Sequence, residues 1–175
     1  ADGSPYPICS SELSLLKSNV QYHHLPNLSY ELRLKHIAEY VNTEFSVICC
    51  DDDFLLPSTL VAATQFLYQN TDYTSCGGRC IGFNYVNRFL ILSAEQKSHV
   101  NYNIIQDSPI ERIFYHISNF NTSTYYSVHR SKNLLNTIQF LRSYKNGGYT
   151  NELKVELLNA ANGKSFILQE PLWLR

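Results

Sequence analysis

The chain opens polar and turn-rich at Asp2-Gly3-Ser4-Pro5, and hydrophobic order begins only afterwards. Residues 10–17 read as a short helical stretch, and Val20, Tyr22 and their neighbours as a brief strand. From Ser29, a residue suited to cap a helix N-terminus, the period lengthens. Tyr30, Leu34, Ile37, Ala38 and Val41 then share one helical face. Residues 45–50 are apolar except for Ser46 and predict a buried strand, stopped by Asp51-Asp52-Asp53. Pro57 suits the first turn of the next helix, whose expected inner stripe is Leu60, Val61, Thr64, Leu67 and Tyr68.

Further on, residues 73–76, 80–85 and 89–92 predict three strands joined by Gly and Asn turns. Residues 94–108 are polar and read as a loop long enough to suggest a functional role. Ile110, Ile113, Phe114 and Ile117 recur at helical spacing, residues 125–129 form a short strand, and Leu134, Leu135, Ile138 and Leu141 mark another helix. Asn146-Gly147-Gly148 reads as a turn. Leu153, Leu157, Leu158 and Ala161 define the last helix, closed by Gly163 as a C-cap, before a final strand at 165–168. Strand–helix alternation over the first 70 residues predicts an α/β fold with a mixed, largely parallel sheet flanked by helices. Residues 20–24 and 45–50 are expected to be neighbouring parallel strands, with the 29–42 helix crossing between them in a right-handed sense.

Composition narrows the function. The 175 residues suit a single domain able to bury a core. Fourteen basic against fifteen acidic residues argue against a nucleic-acid partner, which selects a basic face. No apolar run approaches the roughly 18 residues of a membrane span, and no signal peptide opens the chain. Five cysteines cannot all pair within one chain, which points to the cytoplasm. Cys49 and Cys50 read as small buried hydrophobes, and Cys76 and Cys80 lack the second ligand pair of a zinc site. The sequons at Asn27 and Asn121 mean little without secretion. The absence of Met from a chain beginning Ala1-Asp2 leads us to expect a piece of something longer.

Chemistry concentrates where a strand ends in three carboxylates. Ligands gather at the C-terminal ends of parallel strands, and three adjacent like charges are most easily kept together by a cation. Oxygen ligands favour Mg²⁺ or Mn²⁺ over zinc, with positions left open for phosphate oxygens. One Asp would suffice for the plainer task of favouring the next helix N-terminus.

The run Ile48-Cys-Cys-Asp-Asp-Asp-Phe-Leu-Leu-Pro57-Ser-Thr-Leu60 resembles the DxD segment of the inverting GT-A glycosyltransferases of family 2. Asp2-Gly3-Ser4 resembles that family's Asp-Gly-Ser turn, residues 28–41 its helix before the DxD strand, and Asn151-Glu152-Leu153 with Gly163-Lys164 its base helix and following strand. The resemblance follows the family's order through nearly the whole chain. It implies a GT-A (Rossmann-like) domain over 1–175, with a nucleotide-binding part at 1–92 and an acceptor and base part at 93–175. The family's first strand and helix would precede Ala1. With the proline as anchor, the first Asp of a spaced pair falls on Cys50, and the usual Glu-Asp pair is reduced to Glu152.

Residue by residue, the resemblance implies that Asp2 lies near the nucleotide base or ribose. Asp51 and Asp52 contact the ribose and diphosphate, Asp52 and Asp53 serve the metal, and Glu152 is the general base. Arg130, ending a strand, could clamp a phosphate. His23 and His24 could face the donor, and Trp173 with Tyr125-Tyr126 could stack on sugar rings or fill the core. Asp107 and Glu156 are the next candidates for the base. The expected activity is transfer from a UDP- or other NDP-sugar to a glycan or lipid-linked saccharide by metal-assisted displacement, in the cytoplasm or at the cytoplasmic membrane face. The alternatives are a metal-dependent phosphate-transferring enzyme and a non-catalytic, degenerate domain. The first is weakened because Leu55 stands where aspartyl phosphatases want Thr or Val.

Overall fold

The computed structural model describes residues 1–92, 102–120, 123–142 and 148–175. In chain order these form α1 (Ser10–Leu13), α2 (Tyr30–Ala38), β1 (Phe45–Ser46), β2 (Phe54–Leu55), α3 (Pro57–Gln69), β3 (Tyr73–Ile81), β4 (Phe83–Val86) and β5 (Phe89–Leu92). There follow α4 (Pro109–Ser118), β6 (Val128–Arg130), α5 (Ser131–Gln139), α6 (Gly148–Asn162) and β7 (Lys164–Leu174). The expected turn at Asn146-Gly147-Gly148 lies largely outside the described residues, as do most of the 94–108 loop and Asn121. No helix among the described residues is long and apolar enough to cross a membrane.

The fold is α/β, but the sheet is mixed and mostly antiparallel rather than largely parallel. Its order is β1-β6-β3-β7-β2, and only the central β3–β7 pairing is parallel. Hydrophobic period reports which face of a strand is buried, not the direction of its neighbour. Here β6 runs back between β1 and β3. The chain also reverses after β1, crossing the end of the sheet to lay β2 against β7 on the opposite edge. The acidic segment is that crossing.

Residues 20–24 are not a strand beside 45–50. Their backbone is taken by Asp2, whose N–H donates to the His23 carbonyl (2.8 Å) and whose carbonyl accepts from Leu25 (2.7 Å). Gly77 and Gly78 do not turn the chain but run through the middle of β3, so the expected strand at 73–76 continues to Ile81, and the expected strand at 80–85 is divided between β3 and β4. A Cβ on Gly77 would stand 2.6 Å from Ser127 Oγ, and one on Gly78 2.7 Å from the Glu170 carbonyl, so β3 accepts its neighbours only as glycine there. The β4–β5 hairpin turns at Asn87 and Arg88, both at positive φ (50° and 71°).

Phe166 and Leu168 point to α3, where Ala63, Leu67, Cys76 and Val128 make one core cluster. Ile167 points the other way, to Tyr102, Ile104 and Tyr115. The main cluster joins α5 and α6 to the end of the sheet that bears the acidic segment: Ile48, Tyr125, Tyr126, Leu134, Ile138, Val155, Leu172 and Trp173. Helix α4 forms as its period predicts, yet it is turned inside out. Ile110 and Phe114 are 79% and 71% exposed, while Arg112 and His116 are buried. Arg112 donates to the carbonyls of Ala160 (2.6 Å) and Ala161 (2.9 Å), satisfying the last turn of α6. His116 meets Glu156.

Candidate functional site

Since β6 is antiparallel to both β1 and β3, and β7 parallel to β3, strands β1, β3 and β7 end at one edge of the sheet. The chain enters β6 at the same edge, through Tyr125 and Tyr126. Asp51-Asp52-Asp53 lies here, held by a turn in which the Asp53 N–H donates to the Cys50 carbonyl (3.3 Å). Asp51 and Asp52 are exposed, while Asp53 is only 9% exposed and its Oδ1 has no hydrogen-bond partner among the described residues. Burial first, and then the charge of Asp52, raise the Asp53 carboxyl above the ordinary range; Arg175 opposes them.

One ligand atom each from Cys50, Asp52 and Asp53 lies within 4.8 Å of the others. An orphaned buried oxygen beside two further donors fits a divalent cation better than it fits a solvated acidic turn, which leaves no oxygen both dry and unpaired. Asp51 is outside the group. Cys49 turns its thiol to the backbone carbonyls of Cys50 (3.4 Å) and Asp53 (3.5 Å).

Glu152, in the first turns of α6, is joined to this group through one side chain. Tyr126 Oη donates to Glu152 Oε1 (3.3 Å), and the Cys50 thiol points to the same Oη (3.8 Å). The Tyr126 phenol is pushed far above its usual range, by burial first and then by Cys50, so it remains a neutral donor. It stacks on Trp173 with ring centres 4.6 Å apart. Tyr125 donates to or accepts from Tyr30 (2.7 Å). Tyr125, Tyr126 and Trp173 are core residues that back the site, with Trp173 6% exposed.

Sequence reasoning missed the device that holds them. Glu156, 3% exposed, accepts from the backbone N–H groups of Thr124 (2.9 Å) and Tyr125 (3.1 Å). It also accepts from Thr124 Oγ1 (2.5 Å) and Ser123 Oγ, and pairs with His116 Nε2 (3.1 Å). Burial alone would raise its carboxyl, but the bonds from His116, Ser123 and Thr124 outweigh that and lower it. Both of its oxygens are occupied by these donors, which removes it as an alternative base. Asp107, the other alternative, is ion-paired to Lys164 (3.0 Å). Nothing in the helical period of α6 marks Glu156 as inward; the Ser123-Thr124 hydroxyl pair was the available hint.

Asp2 is fixed by donors from its own segment: Ser4 N–H (2.8 Å), Ser4 Oγ and Tyr22 Oη (2.5 Å). They hold its carboxyl well below the usual range, led by the Ser4 hydroxyl. His24 bonds the Ser4 carbonyl (2.9 Å) and His23 pairs with His36 (3.2 Å), so both histidines belong to the same knot. Arg130 does not reach the acidic edge. It ends β6 at the far edge, where it caps α3 through the carbonyls of Leu67 (2.5 Å) and Asn70 (3.2 Å) and also bonds Tyr73 O (2.9 Å). A cation whose charge reaches the cluster is Arg175; stacked over Trp173, it lowers Asp53, Cys50 and Cys80 alike. Cys76 is fully buried, its thiol pushed up to about 12 by burial, and all five cysteines are free. Neither a scan against protein-family models nor a search of the curated proteins returns a match for this chain.

Proposed function

We propose that the chain transfers a glycosyl group from a nucleotide-activated sugar to a hydroxyl acceptor, with inversion at the anomeric carbon. The observation that carries this reading is Glu152, a half-exposed carboxylate one tyrosine away from a cation-compatible acidic turn. A hydroxyl is a poor nucleophile, and a carboxylate within hydrogen-bond reach removes its proton as attack proceeds. Tyr126 orients that carboxylate by donating to one oxygen, leaving the other to accept. Asp52 and Asp53 would hold the divalent cation, and Asp51, exposed beside them, is free to meet the ribose or diphosphate. The cation, when bound, supplies Lewis-acid stabilisation of the departing diphosphate. Arg175 adds fixed positive charge on the same side, a role first assigned to Arg130. Asp2, held anionic by its three donors, is suited to accept from a base or ribose hydroxyl.

The test separates donor binding from turnover. Thermal stability is measured with nucleoside diphosphates with and without Mn²⁺, and transfer is assayed with the matching sugar nucleotides. The parent is expected to gain stability from a nucleotide only when metal is present, by about 2.7 kcal/mol at a hundredfold excess over Kd. Asp52→Asn loses that response. Glu152→Gln keeps nucleotide affinity within about twofold and loses on the order of a hundredfold in transfer. Equal Mn²⁺-dependent affinity in the Asp52 variant and the parent, or equal transfer in the Glu152 variant, would sink the reading.

A further inference from the structure

The acidic turn is not an all-oxygen site. Cys50, immediately before the three aspartates, points its thiol toward Tyr126 and stands within 4.8 Å of ligand atoms of Asp52 and Asp53. In a tetrahedral site, metal–ligand bonds of about 2.0–2.3 Å put two ligands of one ion roughly 3.3–3.8 Å apart. Atoms within 4.8 Å of one another therefore need to close by no more than about 1–1.5 Å. Asp53 supplies the independent sign that something is to be bound: a carboxylate 9% exposed, with one oxygen buried and unpaired, in the same group. Nothing else among the described residues satisfies that oxygen, and Arg175 only moderates its charge.

We infer that Cys50 is a metal ligand, and that Cys50, Asp52 and Asp53 together form a three-ligand site for a borderline, thiophilic divalent cation of the zinc or cobalt class rather than for hard Mg²⁺ or Mn²⁺. This rests on the reading of the acidic turn as a cation site and changes its expected occupant. Two carboxylates alone would suit Mg²⁺, which binds oxygen and keeps its waters. A sulfur donor disfavours that hard ion and favours those later in the divalent series. On binding, the thiol gives its proton to solvent and the sulfur lone pair forms the metal bond. Asp53 is the dry floor of the site, Cys50 its half-buried wall and Asp52 its exposed rim. Three protein ligands with an open side match a site that also takes an external oxygen. Cys49, though adjacent, is turned to backbone carbonyls and does not join the group.

The experiment uses the intact chain and Co²⁺ as the probe, reading the near-ultraviolet sulfur-to-cobalt charge-transfer band and the binding heat. The parent should show the band, and excess Mg²⁺ should leave it in place. Cys50→Ser should lose the band and bind Co²⁺ more weakly, by at least the roughly tenfold that losing even an outer-sphere partner costs. Cys49→Ser should keep both band and affinity. Co²⁺ bound without a sulfur band, a band that survives Cys50→Ser, or ready displacement by Mg²⁺ would each overturn Cys50 ligation while leaving the cation reading intact. Binding heat for none of Co²⁺, Mn²⁺ and Mg²⁺ would overturn the cation reading itself.

Discussion

Glu156 and Asp53 are both buried carboxylates at the same edge of the sheet, and the chain treats them in opposite ways. Glu156 is met by two backbone N–H groups, two hydroxyls and an imidazole, and its carboxyl is lowered. Asp53 is met by nothing at Oδ1, has two like charges as neighbours, and its carboxyl is raised. A buried charge is tolerated when donors replace its water, and is costly when they do not. Glu156 is thus a structural clamp, fixing the segment that presents Tyr125 and Tyr126. Asp53 Oδ1 is left without a partner among the described residues.

The largest expected effect follows from the clamp. Glu156→Gln keeps the shape but removes the charge and sets an amide N–H₂ among donors. Stability should fall by about 1.5–3 kcal/mol, the worth of a hydrogen bond to a charged group, as measured by urea unfolding. A loss under about 1 kcal/mol would show that the clamp is not what fixes this edge.

The pH dependence of stability separates the two residues next. For Glu156 the folded state holds its proton less tightly than the unfolded chain. Its stabilisation is therefore complete above the ordinary carboxylate range and is lost as pH falls through the lowered value. Asp53 has the reverse sign: its folded-state pKa is raised, so its contribution is complete below that range and fades as pH rises through the raised value. Without metal, Asp53→Asn should raise stability at pH 8, because it removes a charge that burial and the neighbouring Asp52 disfavour. Divalent cation should stabilise the parent and not the variant. A variant less stable than the metal-free parent at pH 8 would mean Asp53 is already satisfied.

How much of this was legible beforehand depended on what each signal encodes. The acidic turn, the Ser29 cap, Pro57 at a helix start and Glu152 at the head of α6 are local features, and the structure keeps them. Sheet direction is not local: the reversal of 47–53 and the insertion of β6 leave no trace in period. The α4 stripe failed for a different reason. Ile110, Phe114 and Ile117 have the period of an inner face, but Arg112 and His116 make bonds to α6 that only tertiary context reveals. Arg130 looked like a phosphate clamp because it ends a strand, and an antiparallel β6 carries it to the far edge. The same reversal brings Tyr126 to the near one.

The smallest expected effect concerns that tyrosine, which links the two halves of the comparison. Its backbone follows the Glu156-bound segment, and its hydroxyl lies between Glu152 (3.3 Å) and the Cys50 thiol (3.8 Å). Both contacts are long, and both partners retain access to water, so deleting the hydroxyl leaves no dry, unpaired group behind. Tyr126→Phe should therefore cost only about 0.5–1 kcal/mol, the net worth of one ordinary hydrogen bond. The ring keeps its stacking on Trp173, so the cost isolates the hydroxyl. A double-mutant cycle with Glu152→Gln sharpens the point, because contacting residues couple and distant ones add. If the hydroxyl orients Glu152, the second substitution should cost less once the first is made, with a coupling of at least about 0.5 kcal/mol. Strict additivity would detach Tyr126 from Glu152, leaving it as packing for Trp173 and removing the bridge between the acidic turn and α6.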